Sequence, residues 1–464
     1  MTLISPDDIL DDSVDTRRYW LGVALLVLVL IALSTLVAVR GGVPRVRALT
    51  LIPSAGSVTS VQPQVRVRFA RAMDRASVEP TVRIEPDVPF ELSWNEAELR
   101  ILLQAPLQAE QTYNVTVGPG LSDAEGTPLE GRISWQFSTR RPRVAYITRE
   151  GELWLTETSG DERSLLTAPG QYVQSVTTTA DGSTLVYTVA ESETATNMWR
   201  MDMGGGGWSQ LTEEQNLLFN APQFSPAGDL LVVESRRLAD VGGTMTLTAP
   251  DIELRRPTDG SPAGLVYGQE DETAHSARWS PAGTRLAFVE STRNEVAIYN
   301  FTTDLLAFPA ESASFSQQVW SPDGNAITYS RFLITDAGVK QVAMIRDIQL
   351  GTEIPLMEYE GDLLAPAWHP DGTAIAFVAV APQNSGQADG VWIADTFGPD
   401  RRPRISEPGI IYVEPQWSPD GEWLLYGRVD PSNPNGEQSL WMIRRDGTDT
   451  QLLVEEGYKA LWIP

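Results

Sequence analysis

Trp417-Ser418-Pro419-Asp420-Gly421 decides the reading of this chain, because the phrase occurs six times in all. Trp320 to Gly324 repeats it residue for residue, and Trp368-His369-Pro370-Asp371-Gly372 changes one position. Trp279-Ser280-Pro281-Ala282-Gly283 and Phe224-Ser225-Pro226-Ala227-Gly228 lose the Asp, and Thr178-Thr179-Ala180-Asp181-Gly182 is the faintest copy. The glycines fall at 182, 228, 283, 324, 372 and 421, a spacing of roughly 40–55 residues that suits propeller blades. Within the phrase Pro presets the second turn position, Asp tolerates the third, and Gly supplies the positive φ that follows. Alternating apolar residues come next, as in Trp423-Leu424-Leu425-Tyr426 and Leu286-Ala287-Phe288, which predicts a strand leaving each turn. The aromatic ahead of the turn is large enough to pack between neighbouring sheets, a core role rather than a ligand contact.

The chain has 464 residues, enough for two or three domains. It carries 35 basic and 61 acidic residues, a net charge of −26. Nucleic acid is excluded as a partner on that balance, since gripping a phosphate backbone takes a basic footprint. Only Lys340 and Lys459 are lysines, and there is no Cys. Disulfides, thiolate metal sites and cysteine nucleophiles are therefore ruled out.

Residues 1–18 form a short acidic tail with Asp7, Asp8, Asp11, Asp12 and Asp15, expected to be disordered. Residues 19–40 read as a transmembrane helix. The uncharged run from Leu21 to Val39 follows Tyr19 and Trp20 and closes at Arg40, and about twenty residues at 1.5 Å rise span a hydrocarbon core. The run is longer than a signal-peptide core, its flank is acidic, and no small-x-small cleavage site follows, so a retained anchor is expected. Arg17 and Arg18 precede the span while Arg40, Arg45 and Arg47 follow it, which leaves orientation undecided by charge.

Residues 46–140 hold short alternating runs, Val65 to Phe69, Leu99 to Leu103, Tyr113 to Val117 and Ile133 to Phe137, separated by turn signals. That pattern predicts a β-sandwich. The segment resembles the bacterial Ig-like domain of surface-layer and other envelope proteins. The likeness rests on Phe69-Ala70-Arg71-Ala72-Met73-Asp74, on Leu121-Ser122-Asp123-Ala124-Glu125-Gly126-Thr127-Pro128-Leu129, and on the closing Trp135-Gln136-Phe137-Ser138-Thr139. It implies a non-catalytic spacer or adhesive module outside the cytoplasm.

Residues 143–464 hold the repeats. Behind each turn come further strands, as in Leu440-Trp441-Met442-Ile443 and Gln451-Leu452-Leu453. These units resemble the TolB-like (WD40-like) β-propeller repeat. Residues 143–167 supply the back of a unit with no turn phrase ahead of it, and Ala460 to Pro464 supply a front strand with nothing behind it. Joined, they predict seven blades closed by the C-terminal strand, a closure that removes exposed sheet edges. Six blades, the number usual in the resembled family, is the alternative.

Reaction chemistry is not visible. The two histidines sit at unpromising places, His369 inside a turn phrase and His275 just before one, at a blade connection. No G-x-S-x-G elbow occurs, and Gly204 to Gly207 lack the Lys of a phosphate loop. Asp181, Asp323, Asp371 and Asp420 recur once per unit, which spreads them round a ring. One carboxylate-rich loop, Gln269-Glu270-Asp271-Glu272, could take calcium. The sequons at Asn114 and Asn300 carry no weight. No catalytic, cofactor-binding or metal residue is assigned, and no cofactor is expected. Polar connections at Ala190 to Asn197, Arg236 to Thr246, Ala381 to Gly390 and Asp430 to Gln438 are the places for recognition, or simply solvated hairpins.

The whole reads as an all-β protein: a single-pass anchor in the cell membrane, an Ig-like stalk and a propeller, with the C-terminal bulk extracytoplasmic. The domain resemblances, rather than charge, give that orientation. The expected role is a binding scaffold for an envelope protein, peptide or glycan. The alternative is an envelope hydrolase or lyase with carboxylates in the propeller channel, which converging Asp, Glu and Arg side chains there would favour. A third reading is an envelope sensor that signals through residues 1–18.

Overall fold

The computed structural model describes residues 20–31 and 44–464, except 169, 205–206, 242–243, 269–272, 313–317, 336–337, 358, 383–384, 387, 397–400 and 434–435. Residues 20–31 are helical, and large apolar side chains from Trp20 to Ile31 are exposed along the helix. Among the described residues no helix is long and apolar enough to cross a membrane. Residues 32–40, where the expected span continues, and the acidic tail lie outside the described residues.

The next segment is a sandwich of two four-stranded sheets. One orders Ala48–Ile52, Val65–Phe69, Glu98–Leu103 and Phe90–Asn95; the other orders Val58–Thr59, Ile133–Thr139, Thr112–Val117 and Arg83–Glu85. Alternation along each strand sends Val65, Val67 and Phe69, and opposite them Ile133, Trp135 and Phe137, into one core. Asp74 caps a short helix, Arg75–Val78, accepting from the Ala76 N–H at 3.2 Å.

The remaining described residues form seven antiparallel sheets. Sheet 2 runs Tyr172–Thr178, Thr184–Ser192, Ala195–Asp202, Gly207–Gln210, and sheets 3 to 7 repeat this meander. Their first strands are Leu217–Phe224, Ala274–Trp279, Val319–Trp320, Asp362–Trp368 and Ile411–Trp417. Sheet 1 takes its first strand from the far end of the sequence: Tyr458–Ile463 pairs antiparallel with Arg143–Ile147. The first strand of each of sheets 3 to 7 packs on its predecessor, and Tyr458–Ile463 touches both sheet 7 and sheet 2. The succession therefore closes into a ring with the first strands innermost.

Each turn phrase joins the first strand of a sheet to its second. Gly421 N–H donates to the Ser418 carbonyl at 2.9 Å, Ser418 Oγ to Asp420 Oδ1 at 2.5 Å, and the Glu422 N–H to the same carboxylate at 3.2 Å. Asp323 and Asp181 repeat this arrangement. Where Ala227 replaces the Asp, Ser225 Oγ turns to Asp229 at 2.7 Å instead. The aromatics pack between sheets as expected; Trp279, for instance, joins Val232 and Ile252 of sheet 3 to Leu286 and Phe288 of its own sheet. Three indoles also latch onto the preceding sheet: Trp320 to the Arg278 carbonyl, Trp417 to Ala367 and Trp462 to Gln416, at 3.1, 3.2 and 3.1 Å.

Two of the expected polar connections are corrected. Residues 190–197 are largely strand, since Thr184–Ser192 and Ala195–Asp202 stay paired almost to the tip. Residues 236–241 belong to the strand Leu231–Val241, whose end pairs with Thr244–Leu247 as a ribbon. Backbone pairing satisfies N–H and C=O groups that a loop would leave to water, which favours the ribbon. Sequence reading also missed a ribbon in sheet 5, Ala326–Thr335 with Gly338–Asp347, which leaves Phe332, Ile334 and Val339 exposed.

Candidate functional site

In an up-and-down meander successive connections alternate between the two ends of the sheet. The turn phrases therefore line one face of the ring, and the hairpins between second and third strands line the other.

The turn-phrase face is occupied by structural contacts. His369 sits there, buried, with Nδ1 2.6 Å from Asp371 Oδ1 and Nε2 3.0 Å from the Gly421 carbonyl. It takes the place of Ser418 in the sister phrase and reaches one sheet further, its ring edge-on to Trp417. Arg445 completes the cluster with bonds to Asp371 Oδ2 at 3.1 Å and Thr373 Oγ1 at 2.7 Å. Burial pushes the Asp371 carboxyl up, but bonds from Thr373 and the His369 ring reverse this and bring it down to about 2. The cluster ties sheet 6 to sheet 7. The Ig-like segment meets the ring on this face too: Arg140 bonds the Pro464 carbonyl, and a cleft of about 440 Å³ is lined by Ala109 and Arg141 on one side and Ser418, Asp420 and Trp462 on the other.

The opposite face is open. A recess of about 810 Å³ lies over the ends of sheets 1 to 3. Its walls come from the second hairpins, through Thr148, Arg149, Ser192 and Glu193, and its floor from the entries of three innermost strands, at Tyr172, Asn220 and Lys459. A recurrent bulge shapes these strands. Ala221, Ser276, Ala365, Glu414 and Lys459 all have positive φ, between 45° and 58°. Each lies three residues before the aromatic of its phrase or, for Lys459, before Trp462. The pairing register slips at the same places. Non-glycine residues in the left-handed region store strain and tend to mark sites held by their surroundings.

Beside the recess, charged groups from three sheets influence one another. Burial pulls the Arg278 guanidinium below its ordinary value, while the carboxylates of Glu234 and Glu414 pull the other way. Arg278 belongs to sheet 4 and Glu414 to sheet 7, on innermost strands of nonadjacent sheets. Glu234 also accepts from the Ser276 N–H at 2.6 Å. Sequence reading did not single out any of these three. The bulges scatter their spacing, and the three stand far apart in the sequence on three different sheets.

His275 lies inside the innermost strand of sheet 4 rather than at a connection, with Nδ1 2.9 Å from Ser276 Oγ. The turn-phrase carboxylates of Asp181, Asp323 and Asp420 each bond within their own turn, and Asp371 also accepts from Arg445. Among the described residues no three His, Asp or Glu side chains group as a metal site, and residues 269–272 lie outside them. Gly204 and Gly207 flank the tip of an outer hairpin, where the Gly204 N–H donates to Asp202 at 3.0 Å.

No curated protein matches this sequence. Among solved structures, TolB from Acinetobacter baumannii is 13% identical over 90% of this chain and 99% of its own, with a TM-score of 0.41. An oligogalacturonate lyase from Vibrio parahaemolyticus is 12% identical over 68% and 85%, with a TM-score of 0.48. A prolyl endopeptidase is 9% identical over 81% of this chain and 50% of that one, with a TM-score of 0.51, a likeness of fold alone. The family model described as "Bacterial Ig-like domain" matches residues 43–139, so the segment ahead of the ring belongs to that family.

Proposed function

We propose that this is a membrane-anchored, extracytoplasmic binding protein in which residues 19–40 form the anchor, 46–140 the stalk and 143–464 a seven-bladed propeller. Its partner is a protein, peptide or glycan of the cell envelope. One relationship carries the reading: the Ig-like segment meets the ring on the turn-phrase face, while the 810 Å³ recess opens on the other. A disc mounted this way presents its recess away from the stalk. The exposed apolar helix at 20–31 supports the anchor, because lipid would cover side chains that the protein leaves bare.

The full chain, cross-linked in its envelope, is the bait. A discrete partner lost when the connections at 381–390 and 430–438 are shortened supports the scaffold; an empty bait argues against it. Topology has its own test. With no native Cys, Thr303→Cys on an exposed turn should react with an impermeant maleimide on intact cells whose outer face is accessible. Labelling only after lysis would place the ring inside and defeat the anchor-and-stalk arrangement.

A second reading, an envelope hydrolase or lyase, is supported by the Arg278 guanidinium, whose charge the carboxylates of Glu234 and Glu414 favour. Turnover of envelope peptides or glycans that disappears in Arg278→Gln, with the fold intact, would select it.

A further inference from the structure

The recess has an unusual charge environment for this chain. With 61 acidic residues against 35 basic ones, an exposed cation here would ordinarily find a carboxylate. Arg149, Arg236 and Lys459 all line the recess, yet among the described residues none of the three side chains has a carboxylate partner. Glu456 accepts from the Arg149 backbone N–H rather than from its side chain. Two of the cations are held by carbonyl oxygens: Lys459 Nζ donates to Gln174 at 2.7 Å and Arg236 Nε to Thr248 at 3.0 Å. Carbonyls fix the side chains without neutralising them, and they leave the other N–H groups of each available to a ligand. Lys459 is also one of the left-handed residues, with φ of 46°, so its backbone is held in a strained state that aims it here.

Acceptors stand beside these donors. Glu193 and Glu234 line the same recess with the amides of Gln174 and Asn220, and the half-exposed Tyr172 ring lies flat against Gly151. A surface offering charged donors, carboxylate acceptors, amides and an aromatic platform within one recess matches a polyamide chain, which brings N–H donors, C=O acceptors and apolar stems together. On the reading that this is the binding face, we propose that the recess takes a carboxylate-bearing peptide segment, its acidic group held among Arg149, Arg236 and Lys459.

The test uses the full chain in nanodiscs and fluorescence anisotropy of a dye-labelled peptide of alternating Asp and Glu. Binding should weaken roughly tenfold or more in the double variant Arg149→Glu with Lys459→Glu. Glu414 already occupies the left-handed position equivalent to Lys459 in sheet 7, so the fold tolerates that change; an unshifted melting curve verifies it. Arg236→Lys, which keeps the charge but loses the guanidinium fork, should weaken binding less than the charge reversal does. Equal affinity for the Asn/Gln version of the peptide, binding that survives charge reversal, or no binding would each overturn the proposal. So would binding of tri-galacturonate in place of the peptide, which would make the recess a glycan-acid site. If the envelope bait still captures a partner through the 381–390 connection while the peptide does not bind, this proposal alone fails.

Discussion

Arg140 Nη2 donates to the Pro464 carbonyl at 2.9 Å, joining the end of the Ig-like segment to the last residue of the sequence. The same carbonyl lies 2.9 Å from where a Cβ on Gly182 would stand, and Gly182 has φ of +67°. Pro464 thus plays the proline of one more turn phrase, Trp462-Ile463-Pro464, set against the phrase of sheet 2 much as Pro226 is set against Gly283. The junction between the two segments is also where the ring closes.

Arg140→Ala should therefore cost about 1.5–3 kcal/mol, the range for a charged hydrogen bond. Gly182→Ala should cost more than about 1 kcal/mol from backbone strain and the Pro464 contact. Calorimetry checks both, and Arg140→Ala should also separate the melting of the Ig-like segment from that of the ring. Unchanged transitions in both variants would mean that the junction does not couple them.

The indole latch can be separated from indole packing. Trp417→Phe keeps a ring between sheets 6 and 7 but loses the bond to the Ala367 carbonyl, for about 1–2 kcal/mol. Trp417→Ala removes the ring as well and should cost about 3–5 kcal/mol. Urea unfolding that finds the two variants equal would show that packing contributes little.

The Asp in the turn phrase is testable by loss and by gain. Asp323→Ala removes the acceptor for Ser321 Oγ and the Asn325 N–H, and should destabilise by about 1 kcal/mol. Ala282→Asp restores it in sheet 4, where Gly283 already has the required φ of +69°, and should stabilise by about 0.5–1 kcal/mol. A destabilised Ala282→Asp would mean that sheet 4 departs from its sisters in more than sequence.

Asp371 sets an acid dependence. Its carboxyl is depressed to about 2 in the folded chain against about 3.9 for a free aspartate, so its contribution is complete above about pH 4. It is lost as pH falls through about 2. The stability gap between the native chain and Asp371→Asn should hold steady down to about pH 4 and narrow toward pH 2. A gap that stays flat to pH 2 in denaturant titrations would detach the His369 cluster from acid stability.

The sequence by itself determined the repeat and its chemistry. Ser-Pro-Asp-Gly is local: a fixed φ, a short carboxylate and a residue free to take positive φ make the same turn wherever they fall. The alternation behind it makes the same strands, and the complementary fragments at residues 143–167 and 460–464 announced that the first sheet borrows its innermost strand. His369 was legible as a hairpin residue because it stands where its sisters have Ser. Tertiary structure alone decided the rest. Left-handed Ala221, Glu414 and Lys459 carry no glycine to betray them, since neighbouring sheets rather than local preference hold the bulge. The recess draws Arg149 and Lys459 from sheet 1, Glu193 from sheet 2 and Asn220 and Arg236 from sheet 3, and the charge of Glu414 reaches Arg278 only because sheets 4 and 7 belong to one closed ring. Turns and strands depend on residues a few places apart, which a sequence displays. A binding face depends on which sheets become neighbours, and that is fixed only when the last strand pairs with the first sheet.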